Sequence, residues 1–306
     1  MLRFLTARAL QALLTLLGTT LIVFALARVS GSPADVVLPA EATPAERVAY
    51  IQRMGLDRPL PYQYGVFLRD AVRGEWGTSI RTGRPATELV WERLLNSLKL
   101  ATAALVVTLG IGLPLGVLAA VYRGGAWDRV GMAFALLGQS LPAFWMGIVM
   151  ILIFSVLLRW LPTSGMGSWR HYVLPALVMG WGISAGVVRL LRSSMLDVLG
   201  TDFVRVARAK GLREAAVVTK HAFMNALIPV ITFVGFMYGV IIASAIVIEV
   251  VFGWPGLGRL AYESTLWRDY SVLQLTVVVW AALVIVINML VDVAYALVDP
   301  RIREGT

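Results

Sequence analysis

The chain has 306 residues, 58% of them hydrophobic and only 15% charged, with a mean hydropathy of +0.78. That is too apolar for a soluble globular domain and points to a membrane protein with several spans. The net charge is +9 and cysteine is absent, which excludes disulfides, thiolate metal sites and cysteine nucleophiles; no basic patch interleaved with stacking aromatics stands apart from the membrane loops, which argues against nucleic acid as a partner.

Met1–Ala27 opens with Arg3 and Arg8, then runs apolar from Ala9 to Ala27. Ala25-Leu26-Ala27 imitates a signal-peptidase site, but the run is 19 residues, beyond the roughly 7–15 of a signal core. It reads as a retained first span. Arg28–Leu98 is a polar insert carrying Pro33, Pro39, Pro44, Pro59, Pro61 and Pro85. Short helices are expected over Ala45–Met54 and Tyr62–Ala71, and a turn at Gly74-Glu75-Trp76-Gly77. That is enough for a small cap but not for an independent core.

Five further apolar runs follow: Leu100–Val121, Val130–Leu158 with Pro142 inside it, Tyr172–Val188, Ala226–Ile248 and Val272–Leu297. Glycines four apart (Gly112 and Gly116, Gly182 and Gly186, Gly235 and Gly239) let helix backbones approach closely in lipid and predict a packed bundle. Proline inside a span is tolerated where neighbours satisfy the freed carbonyl.

Thr201–Pro229 is the most basic short segment, lying between two apolar runs. It reads as helix, break, helix. Thr201 or Asp202 can cap the first helix, and Phe203, Val206 and Ala207 share a face at i, i+3, i+4 spacing. Gly211 follows Lys210, where a C-terminal glycine and a cation belong. These residues leave two readings open: a docking surface for a cytoplasmic partner, or a basic helix resting on anionic lipid.

Charge asymmetry sets the topology. With the N-terminus inside, the short inner pieces hold thirteen Lys and Arg residues, from Arg3 to Arg303, against four on the short outer loops: Arg159, Arg170, Arg259 and Arg268. The positive-inside rule then places both termini and Thr201–Pro229 in the cytoplasm, with the long insert and the loop from Glu249 to Ser271 outside.

Three polar residues fall within or beside spans. Asn288 and Asp292 share a helix face near the inner end of the sixth. Asp292 is expected to pair with Arg189 or Arg192 rather than act in a proton relay, which would need a second titrating group. Glu249 sits at the outer end of the fifth, as an outer-gate contact or an interfacial acid. His171 and His221 fall in different loops, so no metal site is expected. The chain has no Gly-Lys pair and hence no P-loop. If transport is ATP-driven, the energy must enter from another subunit.

Phe203-Val204-Arg205-Val206-Ala207-Arg208-Ala209-Lys210-Gly211-Leu212, Lys220-His221-Ala222 and Asn225-Ala226-Leu227-Ile228-Pro229 together resemble the cytoplasmic EAA coupling loop of binding-protein-dependent ABC importers. The likeness is to the dipeptide/oligopeptide-type permease subunit, the first of the pair. Leu56-Asp57-Arg58-Pro59-Leu60-Pro61-Tyr62, Ser140-Leu141-Pro142-Ala143-Phe144-Trp145, Leu161-Pro162-Thr163-Ser164-Gly165, Glu249–Gly258, Arg268-Asp269-Tyr270 and Asp299-Pro300-Arg301-Ile302-Arg303 extend it along nearly the whole chain. The EAA triplet itself stands as Arg205-Val206-Ala207, and Ser32 and Ser271 depart from the usual family residues.

The resemblance implies an all-α polytopic fold of six transmembrane helices in the bacterial inner membrane. It implies an N-terminal span (1–29), a periplasmic insert (30–98), a five-helix core (99–297) containing a cytoplasmic coupling loop (201–225) between the fourth and fifth spans, and a cytoplasmic tail (298–306). It implies a homologous second permease subunit, two cytoplasmic ATPases that hold ATP and Mg, and an outer solute-binding protein. No cofactor is expected on this chain. The coupling residues would be Asp202, Phe203, Arg205, Val206, Ala207, Arg208, Lys210, Gly211 and Leu212. Contacts to the binding protein would come from Arg58, Tyr62, Trp254, Pro255, Gly256, Arg268 and Asp269. The substrate class is peptides, with glutathione, opine-like compounds or chelated nickel as alternatives. A channel or secondary transporter without an ATPase is the rival class.

Overall fold

A computed structural model of the protein describes the backbone of residues 2–29, 38, 42–53 and 55–298. The side chain of Asp292 and the tail carrying Arg301 and Arg303 lie outside the described residues. Among the described residues the regular structure is helical: α1 (Leu2–Val29), α2 (Pro44–Arg53), α3 (Leu60–Arg73), α4 (Ala86–Val121), α5 (Ala126–Ser140), α6 (Ala143–Leu157), α7 (Arg170–Leu199), α8 (Asp202–Ala209), α9 (Glu214–Val251), α10 (Leu257–Leu266) and α11 (Tyr270–Val298). Among the described residues five helices are long and apolar enough to cross a membrane, and six if the bent pair α5–α6 counts as one span.

The third span corrects the sequence reading. Val130–Leu158 is not one rod but two helices bent by 107°. Pro142 lacks an N–H and disfavours helical backbone at the residue before it, so Leu141 turns extended at φ −94°, ψ 129°. Pro114, Pro175 and Pro229 instead stay inside continuous helices. The expected outer loop also holds structure, since α10 lies within Glu249–Ser271. Further, α4 starts at Ala86, inside the segment assigned from sequence to the insert. Its first turns are amphipathic: Leu89, Val90 and Leu94 are buried, while Arg84 ties Glu88 (2.9 Å) and Glu92 (3.2 Å) on the exposed side.

The chain divides into two compact units, one from Met1–Asn96 with Gly256–Met289 and the other built on Ser97–Pro255. In the first, α1 leaves Leu10, Leu13, Leu14, Leu17, Leu21 and Leu26 exposed, an apolar surface suited to lipid. Near its end it meets α3: Thr20 Oγ1 lies 2.9 Å from Tyr64 Oη, and Phe24 packs on Tyr64 and Phe67 at 5.4 and 5.8 Å. Gly74, at φ +79°, ends α3.

The second unit is a bundle in which α7 packs against α4, α5, α6 and α9. Lipid is as apolar as leucine, so hydrophobic burial adds little inside the membrane and close packing must hold the helices. Small residues make that approach possible. A Cβ on Gly112 would fall 2.8 Å from Val187 Cγ1, and one on Gly116 would fall 3.0 Å from Leu191. Gly138 makes room for Trp181 and Gly186 for Phe233. At Gly180 the neighbour is backbone: a Cβ there would fall 2.8 Å from Ala104 O, and Thr108 Oγ1 donates to Gly180 O at 3.2 Å. Ala120, Val187, Leu191, Met195, Ala222, Ala226 and Val230 form the core that results.

A Gly180→Leu substitution meets the Ala104 carbonyl first, and backbone cannot swing aside as a side chain can. It is expected to cost about 1–3 kcal/mol or more through overpacking, read as a lowered melting temperature in detergent, whereas Gly182→Ala, which meets only one atom at 3.4 Å, should change it little.

Candidate functional site

The 201–225 segment is built from behind by the bundle. Helix α7 continues past its apolar part to Leu199, and the chain turns at Gly200 into α8. Thr201 takes the N-cap position but does not cap: its hydroxyl donates back to Val198 O at 2.5 Å. Asp202 does not cap either and instead accepts from Arg205 at 3.0 Å. The helix ends as expected. Gly211 adopts φ +77°, its N–H reaches Arg208 O at 2.9 Å and the N–H of Leu212 reaches Ala207 O at 3.4 Å. This pair of bonds is the Schellman motif, which requires a left-handed residue that only glycine adopts at low cost.

The apolar face is where sequence reasoning failed. Phe203, Val206 and Ala207 do not act together. Ala207 turns inward with Val204, and the two are 6% and 0% exposed against Val217, Val198 and Leu199. Val204, absent from the expected set, is the anchor, and its full burial is worth about 1.5–3 kcal/mol. Phe203 and Val206 point away and are about half exposed, at 46% and 52%. Their i, i+3 spacing extends to Lys210 at i+7, so one outward stripe combines two apolar side chains with a cation. An i, i+3 pattern at Val204 and Ala207 was visible in the sequence. Nothing local said which of two overlapping apolar stripes would face the bundle.

The remaining cations are partly committed. Arg208 grips Glu214 across the Gly211 turn through two bonds, of 2.6 and 3.1 Å, and this carboxylate raises the Arg208 pKa above its ordinary value. Arg205 holds Asp202 and reaches Gly200 O at 3.4 Å. Both pairs are exposed and so contribute little stability; their effect is to fix side-chain direction.

Behind the loop, Arg192 is engaged by Asp128, with Nε–Oδ1 at 2.6 Å and Nη2–Oδ2 at 2.8 Å. Asp128 also accepts from Gly124 N–H at 2.8 Å. The expected pairing of Asp292 with Arg189 or Arg192 involves a side chain outside the described residues. The bidentate geometry is the strong form of the arginine–carboxylate pair. It joins the first turn of α5 to α7 near the base of α8. Asn288 is exposed on α11.

At the other end of α9, Glu249 is fully buried, and Ser97 Oγ donates to its Oε1 at 2.5 Å. Trp254 is also fully buried, edge-on to Tyr172 at 4.6 Å, with its N–H on Glu249 O at 2.8 Å. Asp269 is 4% exposed and accepts from Ser79 Oγ at 2.6 Å. Trp254, Gly256 and Asp269 therefore serve internal packing, contrary to the expectation of partner contact, and Pro255 is half-buried. Arg58 and Tyr62 are exposed, with the guanidinium 5.9 Å from the ring centre. Arg268 is exposed at φ +52°. Among the described residues no group of three or more potential metal ligands comes together.

Residues 112–304 match the family profile of the binding-protein-dependent transport system inner membrane component, and residues 1–95 match that of its N-terminal region. The chain belongs to this family. It is a transmembrane permease component of an ABC importer. The permease is 42% identical over 304 residues to the glutathione transport system permease protein GsiC of Pectobacterium atrosepticum, covering 99% of each chain. It is 40% identical over 304 residues, again 99% of each, to the GsiC of Escherichia coli K12. In fold it is similar to an inward-facing MetNI methionine ABC transporter, with TM-score 0.59 at 20% identity, covering 70% of this chain and 97% of that one. A second solved structure, an amino acid ABC transporter with histidines, gives TM-score 0.53 at 16% identity over 68% and 92% of the two chains.

If Val204 is what pins α8, Val204→Asp should release it. Trypsin cleavage at Arg205 and Arg208 is expected to quicken about fivefold or more through local opening, with the melting temperature of the bundle nearly unchanged. Equal cleavage rates would remove Val204 from that role.

Proposed function

We propose that this permease forms half of a heterodimeric translocation path and receives the energy of ATP through α8. In this reading both termini and the 201–225 loop lie in the cytoplasm of a bacterial inner membrane. The insert and the outer ends of the spans face the periplasm, where a solute-binding protein delivers substrate, with Arg58, Tyr62 and Arg268 available to it. A homologous second permease completes the path. Two ATPase subunits hold ATP and Mg, which this chain supplies no site for.

The observation that carries the reading is the two-sidedness of α8. Its back, Val204 and Ala207, is fixed to the ends of α7 and α9, and its front offers Phe203, Val206 and Lys210. A short helix held in this way transmits displacement. If its front seats in a groove on an ATPase, closure of the ATPases moves α8, and Val204 against Val217 passes that motion to α9 while Leu199 and Gly200 pass it to α7. The spans then shift between outward- and inward-open states, and the ATPase need bias that equilibrium only by its differential affinity for the two. The same front favours protein over lipid as the partner: its central residues are apolar, and Arg205 and Arg208 already hold carboxylates.

For substrate, the reading is a short peptide. The likeness to glutathione permeases over the full length of the chain favours a glutathione-like tripeptide within that class. The ligand retained by the partner solute-binding protein identifies it, by mass spectrometry of the protein purified without added solute. A bound ion complex or sugar would displace the peptide reading.

Gly211→Pro tests the coupling role, because proline is locked near φ −65° where Gly211 holds +77°. The variant is expected to insert normally and keep ATP hydrolysis while uptake falls by about tenfold or more. Normal uptake would sink the coupling role. Phe203→Asp is expected to weaken co-purification of the ATPase by a similar factor, since it places a charge in an apolar contact.

A further inference from the structure

Of the span-length helices α7 is the most buried, yet one face of it is open. Gly182, Gly186 and Arg189 share that face at i, i+4, i+7 spacing. With Gln139 of α5 and Phe233 and Met237 of α9 they line a groove of about 480 Å³ in the second unit, within the roughly 300–1,000 Å³ of small-molecule sites. Gln139, Gly182 and Arg189 are exposed. Among the described residues lining the groove, Arg189 is the one charge; apart from the Gln139 amide the rest are small or apolar, and no carboxylate stands among them.

The groove does not look like a surface for acyl chains. Such a surface carries large side chains, as α1 does with Leu10, Leu13 and Leu14. Here the open face of α7 is glycine. The Phe233 ring lies directly on Gly186, where a Cβ would fall 2.6 Å from Phe233 Cζ, and a Cβ on Gly182 would meet only Gly138 O, at 3.4 Å. In the proposed topology Arg189 lies one turn outward of Arg192. Arg192 is neutralised by Asp128, whereas among the described residues no hydrogen bond or ion pair holds Arg189. An ionisable side chain within a span faces the bundle interior or a water-filled cavity, because hydrocarbon does not solvate it.

We propose that this groove is a stretch of the translocation path and that Arg189 takes a carboxylate of the passing peptide, with Gln139 lining the same groove. This rests on the permease reading above and names the residue that meets the substrate. The planar guanidinium donates two parallel hydrogen bonds to a carboxylate. The glycine floor lets a peptide backbone come close, and the flexible Met237 adapts to different side chains. The groove therefore reads the carboxylate and tolerates variation elsewhere in the peptide. A single cation also suits passage, since a solute on a path must be held strongly enough to enter and weakly enough to leave. The second permease closes the open side.

The chain has no cysteine, so Gly182→Cys puts its single thiol in the groove. In the complete transporter in nanodiscs, modification of this thiol by the anionic methanethiosulfonate MTSES is compared with that by the cationic MTSET, each normalised to its rate with 2-mercaptoethanol and read on this chain by mass spectrometry. MTSES is expected to lead by about fivefold or more, because a cation in a low-dielectric cleft concentrates anions. Adding Arg189→Gln should remove the lead, and adding Arg189→Lys should keep it. A thiol that neither reagent reaches would mean that lipid or the second permease fills the groove and would overturn the site, as would a lead that survives Arg189→Gln. In proteoliposomes supplied with loaded binding protein, Arg189→Gln is expected to cut uptake of tritiated glutathione by about tenfold or more, the scale of one charge-assisted hydrogen bond, while stimulated ATP hydrolysis stays within about twofold. Arg189→Lys should restore most of the uptake. Unchanged uptake in Arg189→Gln, or hydrolysis that falls with it, overturns the role of Arg189. A wild type that keeps the MTSES lead but takes up no glutathione supports the anion-reading groove and strikes only the glutathione reading.

Discussion

Close approach of helix backbones at glycine is the constraint on which the second unit depends. Within a membrane the helices gain nothing from leaving lipid for one another except contact, so contact has to be intimate. Gly180 supplies it directly, backbone to backbone against Ala104 of α4, while Gly112, Gly116 and Gly186 make room for Val187, Leu191 and Phe233 where α7 meets α4 and α9. Thr108 then reaches Gly180 O across the narrowed gap. The position of α7 is set by these contacts, and everything built on its ends inherits that position.

The candidate coupling surface is such an inheritance. Helix α8 has two turns and is too short to be stable alone. Its stability comes from Val204 and Ala207 against Val217 and from the Gly211 turn, with Arg208 and Glu214 stapled over it. Arg192 with Asp128 anchors the same end of α7 to α5. A partner pressing on Phe203 and Val206 would therefore push on packed helix ends rather than on a loose loop. In the proposed cycle that stiffness is what makes a small movement at the ATPase felt inside the membrane.

Much of this architecture was legible in the sequence because the signals were local. Long apolar runs, the glycine after Lys210, and glycines four apart each act through neighbouring residues. Pro142 was legible as a proline but not as a break, since Pro114, Pro175 and Pro229 stay within helices. The difference is whether surrounding structure holds the backbone helical, which the one-dimensional pattern does not contain. Glu249 and Trp254 likewise looked like residues of an exposed loop, whereas Ser97 and Tyr172, distant in the chain, enclose them.

Hydropathy, charge asymmetry and motif order by themselves determined that this is a multi-span permease whose most basic loop lies between the fourth and fifth apolar runs. Those features follow from transfer free energies and local backbone preferences, which each residue carries with it. Tertiary structure alone decided which stripe of α8 faces the bundle, which acid holds Arg192, and that Glu249, Trp254 and Asp269 turn inward. Each of those outcomes depends on which partner arrives from elsewhere in the chain. Such pairings are settled by three-dimensional packing, because an apolar or charged side chain has many chemically equivalent partners in sequence and only one within reach once the helices close.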